Sequence, residues 1–206
     1  DAVNEEKILG VYESLHAEKL KVGKENANQL VREAGLKVNE LSVVELKTDP
    51  SSWVEKAIDN GVSQKALKDA NITLAPISKE DLPEAKKAFD GMSINQKLDL
   101  MGSLIDKSKG IQGGQEIWKS TIKQLGDGNS TYITAATAKA NNFKSTQGRD
   151  LSTSIISGNQ LLKNKQITMP KEADLKAAFN SYVGQSITGT SANTAYEAFR
   201  AVYADT

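Results

Sequence analysis

The chain has 206 residues, 38% hydrophobic and 25% charged, with 26 Lys+Arg balancing 26 Asp+Glu, a single histidine and no cysteine. That composition belongs to a globular protein able to bury a core unaided; it excludes disulfides, thiolate chemistry and cysteine-ligated metal, and it exerts no net pull on polyanions. No apolar run approaches the ~18 residues that span a bilayer, and the opening DAVNEEKILGVYESL has neither the basic start nor the continuous apolar stretch of a secretory signal.

The charge is unevenly divided. Residues 1–103 hold 14 Lys/Arg against 18 Asp/Glu, whereas residues 104–206 hold 12 against 8. The lysines of the second half are scattered among polar residues rather than blocked, as on a solvated face; a phosphate-tracking stripe clusters its cations. The first residue is Asp1, which reads as the start of a processed or excised piece of a longer protein.

Helical spacing dominates from end to end. Ile8, Leu9, Tyr12, Leu15 and Leu20 recur at three and four residues and predict an early helix with one apolar stripe, and Asn28 to Ala34 reads as its helical neighbour. Val38, Leu41, Val43, Val44 and Leu46 are denser and β-branched, the one stretch where a strand competes with a helix. Asp49-Pro50 supplies an N-cap acid and an N1 proline for a helix with Trp53, Val54, Ala57 and Ile58 inward, ending at Asn60-Gly61. Residues 62–77 read as a short helix and a connector.

Asp81-x-x-Glu84 with Pro83 in the first turn predicts a capping box for a helix through Ala85, Ala88 and Phe89 to Gly91. Ser93-x-x-Gln96 repeats the device ahead of Ile94, Leu98, Met101, Leu104 and Ile105. Gly110, Gly113 and Gly114 interrupt, and a helix resumes with Ile117, Trp118, Ile122 and Leu125 inward until GDGNS. Further helices are predicted at Ser130–Asn142, Gly148–Lys165, Pro170–Val183 and Ser191–Tyr203.

The last two carry aromatic stripes, Leu175, Phe179, Tyr182 and Val183 on one and Tyr196, Phe199, Val202 and Tyr203 on the other, which fit a C-terminal antiparallel helical hairpin. The expected fold is all-α, a multi-helix orthogonal or bundle-like domain of about ten short helices. It forms one region, 1–206, with 62–79 as the connector at which lobes 1–61 and 80–206 would divide.

Chemical motifs are weak. His16 has no cysteine or second histidine to share a zinc ion. Glu13-Ser14 on a helix has the form in which lytic transglycosylases present their acid, and a glutamate in an apolar cleft can be kept protonated for that role; GIQGG at 110–114 lacks the downstream pattern such enzymes need, so Glu13 is a candidate on two residues alone. GGQEIWKST fails as a phosphate loop because Trp118 stands where a glycine must precede Lys119. DGNST at 127–131 fails as a calcium loop because its sixth and twelfth positions are Tyr132 and Ala138. No cofactor or metal is expected.

One longer stretch resembles a known group. Leu161-Leu162-Lys163, then Pro-Lys-x-x-Asp-Leu-Lys-x-x-Phe-x-x-Tyr-Val-Gly from Pro170 to Gly184, then Ala-Tyr-x-Ala-Phe-x-x-Tyr-Ala from Ala195 to Ala204, are similar to a segment of large phage and prophage internal virion (ejection) proteins. Some of these carry a lytic transglycosylase domain elsewhere. DPSSWV at 49–54 and LPEAKKAFDGMSINQKLDLMGSL at 82–104 resemble the same group. The resemblance implies a helical, non-catalytic module of a larger virion protein, found in the virion or in the bacterial cytoplasm before assembly. Its partners would be sibling copies or other virion proteins, and its role would lie in genome ejection or passage of the host envelope. The alternatives are a peptidoglycan-cleaving fragment using Glu13 and a module that contacts DNA or membrane, for which Ile155 to Lys165 is the nearest amphipathic match.

Overall fold

The computed structural model describes residues 2–67, 71–144, 150–183 and 190–206, with side chains described except at 2, 181–183, 190–192 and 194. The described residues form eleven helices and no β-strand. These are α1 (Ala2–Glu25), α2 (Ala27–Glu33), α3 (Val43–Thr48), α4 (Pro50–Ala66), α5 (Leu82–Asp90), α6 (Ile94–Ser108), α7 (Gly114–Leu125), α8 (Ser130–Ala140), α9 (Leu151–Lys163), α10 (Glu172–Val183) and α11 (Thr190–Asp205). The chain is thus an all-α multi-helix domain.

Helix α6 is the hub, in contact with α4, α7, α8 and α9. It starts at a complete capping box: Ser93 Oγ accepts from the Gln96 N–H at 3.2 Å, and Gln96 Oε1 accepts from the Ser93 N–H at 2.9 Å. Its Leu98, Leu100, Met101, Leu104 and Ile105 are all buried. They join Trp53, Val54, Ala57 and Ile58 of α4, Ile117 and Ile122 of α7, Ala135 and Ala136 of α8, Ile155 and Ile156 of α9, and Ala198 and Ala201 of α11 in one core. Residues on both sides of 62–79 therefore share that core. Each large side chain withdrawn from water in this way contributes about 1.5–3 kcal/mol.

Two glycines set helix spacing. A Cβ on Gly61 would lie 2.6 Å from Ile117 Cγ2, so the glycine lets α4 and α7 close. Asn60-Gly61 accordingly sits inside α4, which runs on to Ala66 instead of ending there as its turn-like sequence suggests. A Cβ on Gly158 would stand 1.5 Å from the backbone oxygen of Ala201, so α9 and α11 meet backbone to backbone.

The connector after α4 is held by side-chain amides. Gln64 Oε1 accepts from the Ala75 N–H at 3.0 Å, and its Nε2 donates to the Ala75 carbonyl and to Asn28 Oδ1, both at 2.8 Å. Asn28 Nδ2 donates to the Pro76 carbonyl and to Ser78 Oγ, both at 2.9 Å. Gln124 of α7 takes the Ile77 N–H at 3.0 Å and returns a bond to the Ile77 carbonyl at 2.9 Å. Asn60 makes the same two-way pair with the Asn39 backbone, at 2.7 and 2.9 Å, and also donates to the Pro76 carbonyl at 3.1 Å. Asn28, Asn60, Gln64 and Ser78 are at most 2% exposed.

Two expectations are corrected, at Asp81 and on α11, and two points the sequence left open are resolved. The stretch from Val38 to Leu46 forms no strand: residues 36–42 are irregular, Ser42 caps α3 through the Glu45 N–H at 3.2 Å, and Leu41 and Leu46 are the buried residues while Val44 faces solvent. The Asp81 side chain makes no capping bond to α5; it accepts from the distant Leu41 N–H at 3.1 Å. The apolar stripe of α1 is exposed rather than packed. On α11, Val202 packs against the main core and Tyr203 is exposed, leaving Tyr196 and Phe199 to meet α10. There Phe179 lies 5.4 Å from Tyr196, edge-on, and 5.6 Å from Phe199, with Leu175 and Met169 alongside. Residues 184–189 and the side chains of Tyr182 and Val183 lie outside the described residues.

Two substitutions test this frame. Gln64→Ala strands two backbone groups and the Asn28 oxygen without partners, and is expected to cost about 3–5 kcal/mol, at roughly 1–3 kcal/mol per orphaned buried group. Denaturant titration measures it, and a loss below about 1 kcal/mol would show that the amide staple does not hold the connector. Gly158→Ala drives a methyl into the Ala201 carbonyl and is expected to cost about 3 kcal/mol, the upper end for overpacking; an unchanged melting temperature would mean that α9 and α11 are not so close.

Candidate functional site

Helix α1 differs from every other helix. Its C-terminal end is rooted: the Asn26 N–H bonds the Val22 carbonyl at 2.7 Å, the Thr73 N–H reaches the Gly23 carbonyl at 3.3 Å, and Asn26 Nδ2 donates to Glu80 at 3.0 Å. Gly23 is buried and Leu20 and Val22 are half-buried, whereas every residue from Val3 to Lys19 is exposed. At 1.5 Å per residue those seventeen positions project about 25 Å beyond the root.

The projecting part is apolar where a free helix should be polar. Val3, Ile8, Leu9, Val11, Tyr12 and Leu15 are 55–69% exposed, and they are six of the eleven large hydrophobic residues exposed among the described residues. Ile8, Val11, Tyr12 and Leu15 follow the i, i+3, i+4, i+7 spacing of one face. A helix with a continuous apolar face and no neighbour is marginal in water, because helical stability comes mainly from packing that face. The arrangement is suited to taking up another helix.

The sequence-derived candidates lie on this same helix. Glu13 is exposed on it, outside any apolar cleft, and so lacks the burial that keeps a carboxyl protonated for glycosidic cleavage. His16 stacks parallel to Tyr12 with ring centroids 6.3 Å apart, one helical turn away. Among the described residues no three His, Asp or Glu side chains come together to hold a metal ion, and no helix is long and apolar enough to cross a membrane.

A second feature is a polar cleft of about 390 Å³ between α5, the α7–α8 turn and α9, lined by Lys86, Asp90, Asp127, Asn129, Asn159 and Lys163 among others. Two of its three lysines have carboxylate partners: Lys86 Nζ is 2.8 Å from Asp127, and Lys163 Nζ is 3.3 Å from Asp90, while Lys87 also lines the cleft. The Lys86 hydrogen bond holds the Asp127 carboxyl below its usual range. Beneath lies Lys97, 1% exposed, whose Nζ donates to the Asp90 carbonyl at 3.2 Å and sits 5.7 Å from the centre of the Phe89 ring. Burial pulls the Lys97 ammonium below the usual lysine range, with the Asp90 carboxylate opposing that pull. The cleft presents three lysines and two aspartates above a lysine that is itself walled off from solvent.

Among the described residues four ion pairs join the two halves, each half giving two cations and two acids, so the charge difference between the halves is unchanged. Lys107 bonds Glu55, Lys163 bonds Asp90, Lys65 bonds Glu116 at 2.6 Å, and Lys86 bonds Asp127, each joining one half of the chain to the other. Lys107 and Lys163, cations of the second half, thus have carboxylate partners from the first half. No protein-family model, curated protein or solved structure shows significant similarity to the chain.

Among the described residues the face of α1 carries the largest group of exposed large apolar side chains. Sequence reading found its residues as an apolar stripe, since periodicity reports an apolar face and says nothing of what covers it.

Lys97 gives a pH-dependent test. The folded state releases the Lys97 proton at lower pH than the unfolded chain, whose lysines titrate near 10.5. Between those two values the unfolded state binds more protons, so stability rises with pH across the window and the cost of the buried charge is felt in full below it. Lys97→Met is expected to raise the melting temperature at pH 7 by about 2–4 °C, corresponding to roughly 1 kcal/mol. The advantage should shrink as pH approaches 10.5. A Met variant that melts lower at pH 7 would show that the lysine bonds outweigh its desolvation.

Proposed function

We propose that the chain is a non-catalytic structural and interaction module of a phage or prophage virion-associated protein, acting in genome ejection or passage of the host envelope, with α1 as its contact surface. The observation that supports an interaction role is the apolar face of α1, where Ile8, Val11, Tyr12 and Leu15 are each more than half exposed on a helix outside the core cluster. The virion assignment draws on the resemblance carried by Pro170 to Gly184 and Ala195 to Ala204. The absence of a buried general acid at Glu13 and the pairing of Lys86 and Lys163 in the cleft fit a module that binds rather than reacts.

Particles induced from the bacterium that encodes the chain provide the test. Peptides of this protein are expected in purified DNA-filled particles and at least about tenfold depleted from particles that have ejected their genome. Purified peptidoglycan should remain intact with the parent chain and with Glu13→Gln alike. Particles without the protein would remove the virion assignment, and wall hydrolysis lost in Glu13→Gln would replace it with the glycosidase.

A further inference from the structure

We infer that the partner of the α1 face is α1 of a second copy, packed antiparallel; this rests on the reading of α1 as the contact surface. Asn4, Ile8, Val11, Leu15, Glu18 and Val22 follow one another at alternating spacings of four and three, the seam of a two-stranded coiled coil. One residue after alternate seam positions come Glu5, Tyr12 and Lys19, forming one flank. Lys7, Ser14 and Lys21 form the other.

The direction follows from charge. In a parallel, in-register pair Glu18 faces Glu18, and the flanks set Lys7 against Tyr12 and Ser14 against Lys19, with no opposite charges opposed. Reversing one helix places Val11 against Leu15, Asn4 against Val22 and Ile8 against Glu18. On one flank Glu5 then faces Lys19 from both sides of a central Tyr12–Tyr12 contact. On the other flank Lys7 faces Lys21 twice, a like-charge cost that the Glu18 carboxylate beside each Lys7 offsets. The charge of the whole helix agrees: residues 2–13 carry Glu5, Glu6 and Glu13 against Lys7, and residues 14–25 carry Lys19, Lys21 and Lys24 against Glu18 and Glu25. Helix dipoles also oppose favourably in this arrangement.

The area is adequate for a modest affinity. Ile8, Val11, Tyr12 and Leu15 at 55–69% exposure offer on the order of 400 Å² of apolar surface per copy, about half of the ~800 Å² that each partner gives to a standard interface, with lysine and glutamate stems supplying the rest. Val22, half-buried at the root, closes the seam against the body of its own copy. Each body thereby sits at the free end of its partner's helix, and the two bodies lie at opposite ends of a shared strut.

Light scattering on the full chain from about 1 to 200 μM should show the mass rising from 22.2 kDa toward twice that value, with dissociation in the micromolar class. Leu15→Glu, on an exposed position, should abolish the dimer and leave the dilute melting temperature unchanged. Glu5→Lys and Lys19→Glu should each weaken pairing about tenfold or more, and the double swap should restore it to within about threefold, as expected when opposite charges directly facing each other are exchanged. The chain has no cysteine, so an oxidised mixture of Glu5→Cys and Lys19→Cys should yield the mixed disulfide in preference to either homodimer.

A chain that stays monomeric at 200 μM, a dimer that survives Leu15→Glu, or homodisulfides in preference to the mixed one would overturn the proposal. Particle binding separates this failure from failure of the broader reading. A monomeric chain whose incorporation into particles is lost in Leu15→Glu refutes self-pairing and leaves α1 a contact surface for another protein, whereas incorporation indifferent to Leu15→Glu refutes both.

Discussion

The fold depends on a set of buried amides that replace a missing β-ladder. Residues 71–78 of the connector after α4 are in neither helix nor strand, and a buried irregular segment must find a partner for each N–H and C=O. Gln64, Asn60, Asn28 and Gln124 supply those partners from α4, α2 and α7, two of them in reciprocal donor–acceptor pairs that a neighbouring strand would otherwise make. Because the amides sit on three different helices, fixing the connector also fixes the angles among those helices. Asn60 extends the arrangement to Asn39, and Asp81 holds Leu41. The segment leading into α3 is thereby held without secondary structure of its own.

Once that side of the molecule is fixed, α6 can serve as the hub. It presents Leu98, Leu100, Met101, Leu104 and Ile105 inward, too wide an apolar face for one neighbour to cover, and α4, α7, α8 and α9 share it. Glycines then tune the distances. Gly61 admits Ile117, and Gly158 lets α11 approach α9 until backbones touch. Small residues on α11, Ala198 and Ala201, complete that close contact. The C-terminal helix is held by proximity more than by bulk, and its aromatic residues are left free to build the separate cluster with Phe179.

Most of this was legible in the sequence, and the parts that were not share a physical cause. Caps and local periodicity are read correctly wherever they act within one helix: Asp49 and Ser93 cap as their spacing requires, and Trp53, Met101, Ile117 and Ile122 are buried as their stripes require. Errors arise where a residue with strong local preference is claimed by a distant partner. Asn60-Gly61 has the composition of a helix stop, but Asn60 is engaged by the Asn39 and Pro76 backbones and Gly61 by Ile117. Asp81 has the position of a cap, but Leu41 takes its carboxylate. At Val38 to Leu46, where strand and helix compete in sequence, side chains satisfy the Asn39 and Leu41 backbone and a helix begins at Val43.

The candidate site shows the same limit from the other side. The i, i+3, i+7 spacing of Ile8, Val11 and Leu15 is the same as that of Leu98, Met101 and Ile105, yet one face is exposed and the other buried. What separates them is the flank. Around the seam of α1 stand Glu5, Lys7, Lys19 and Lys21, long charged side chains whose stems can cover apolar surface while their heads remain in water. The corresponding flank of α6 has Leu100 and Leu104. A narrow apolar line edged by charge suits one partner helix, and a broad face edged by more apolar residues suits a core. Read in that way, α1 has the residues of a helix that completes its packing outside its own domain, and the acidic start and basic end of that helix favour a partner running in the opposite direction.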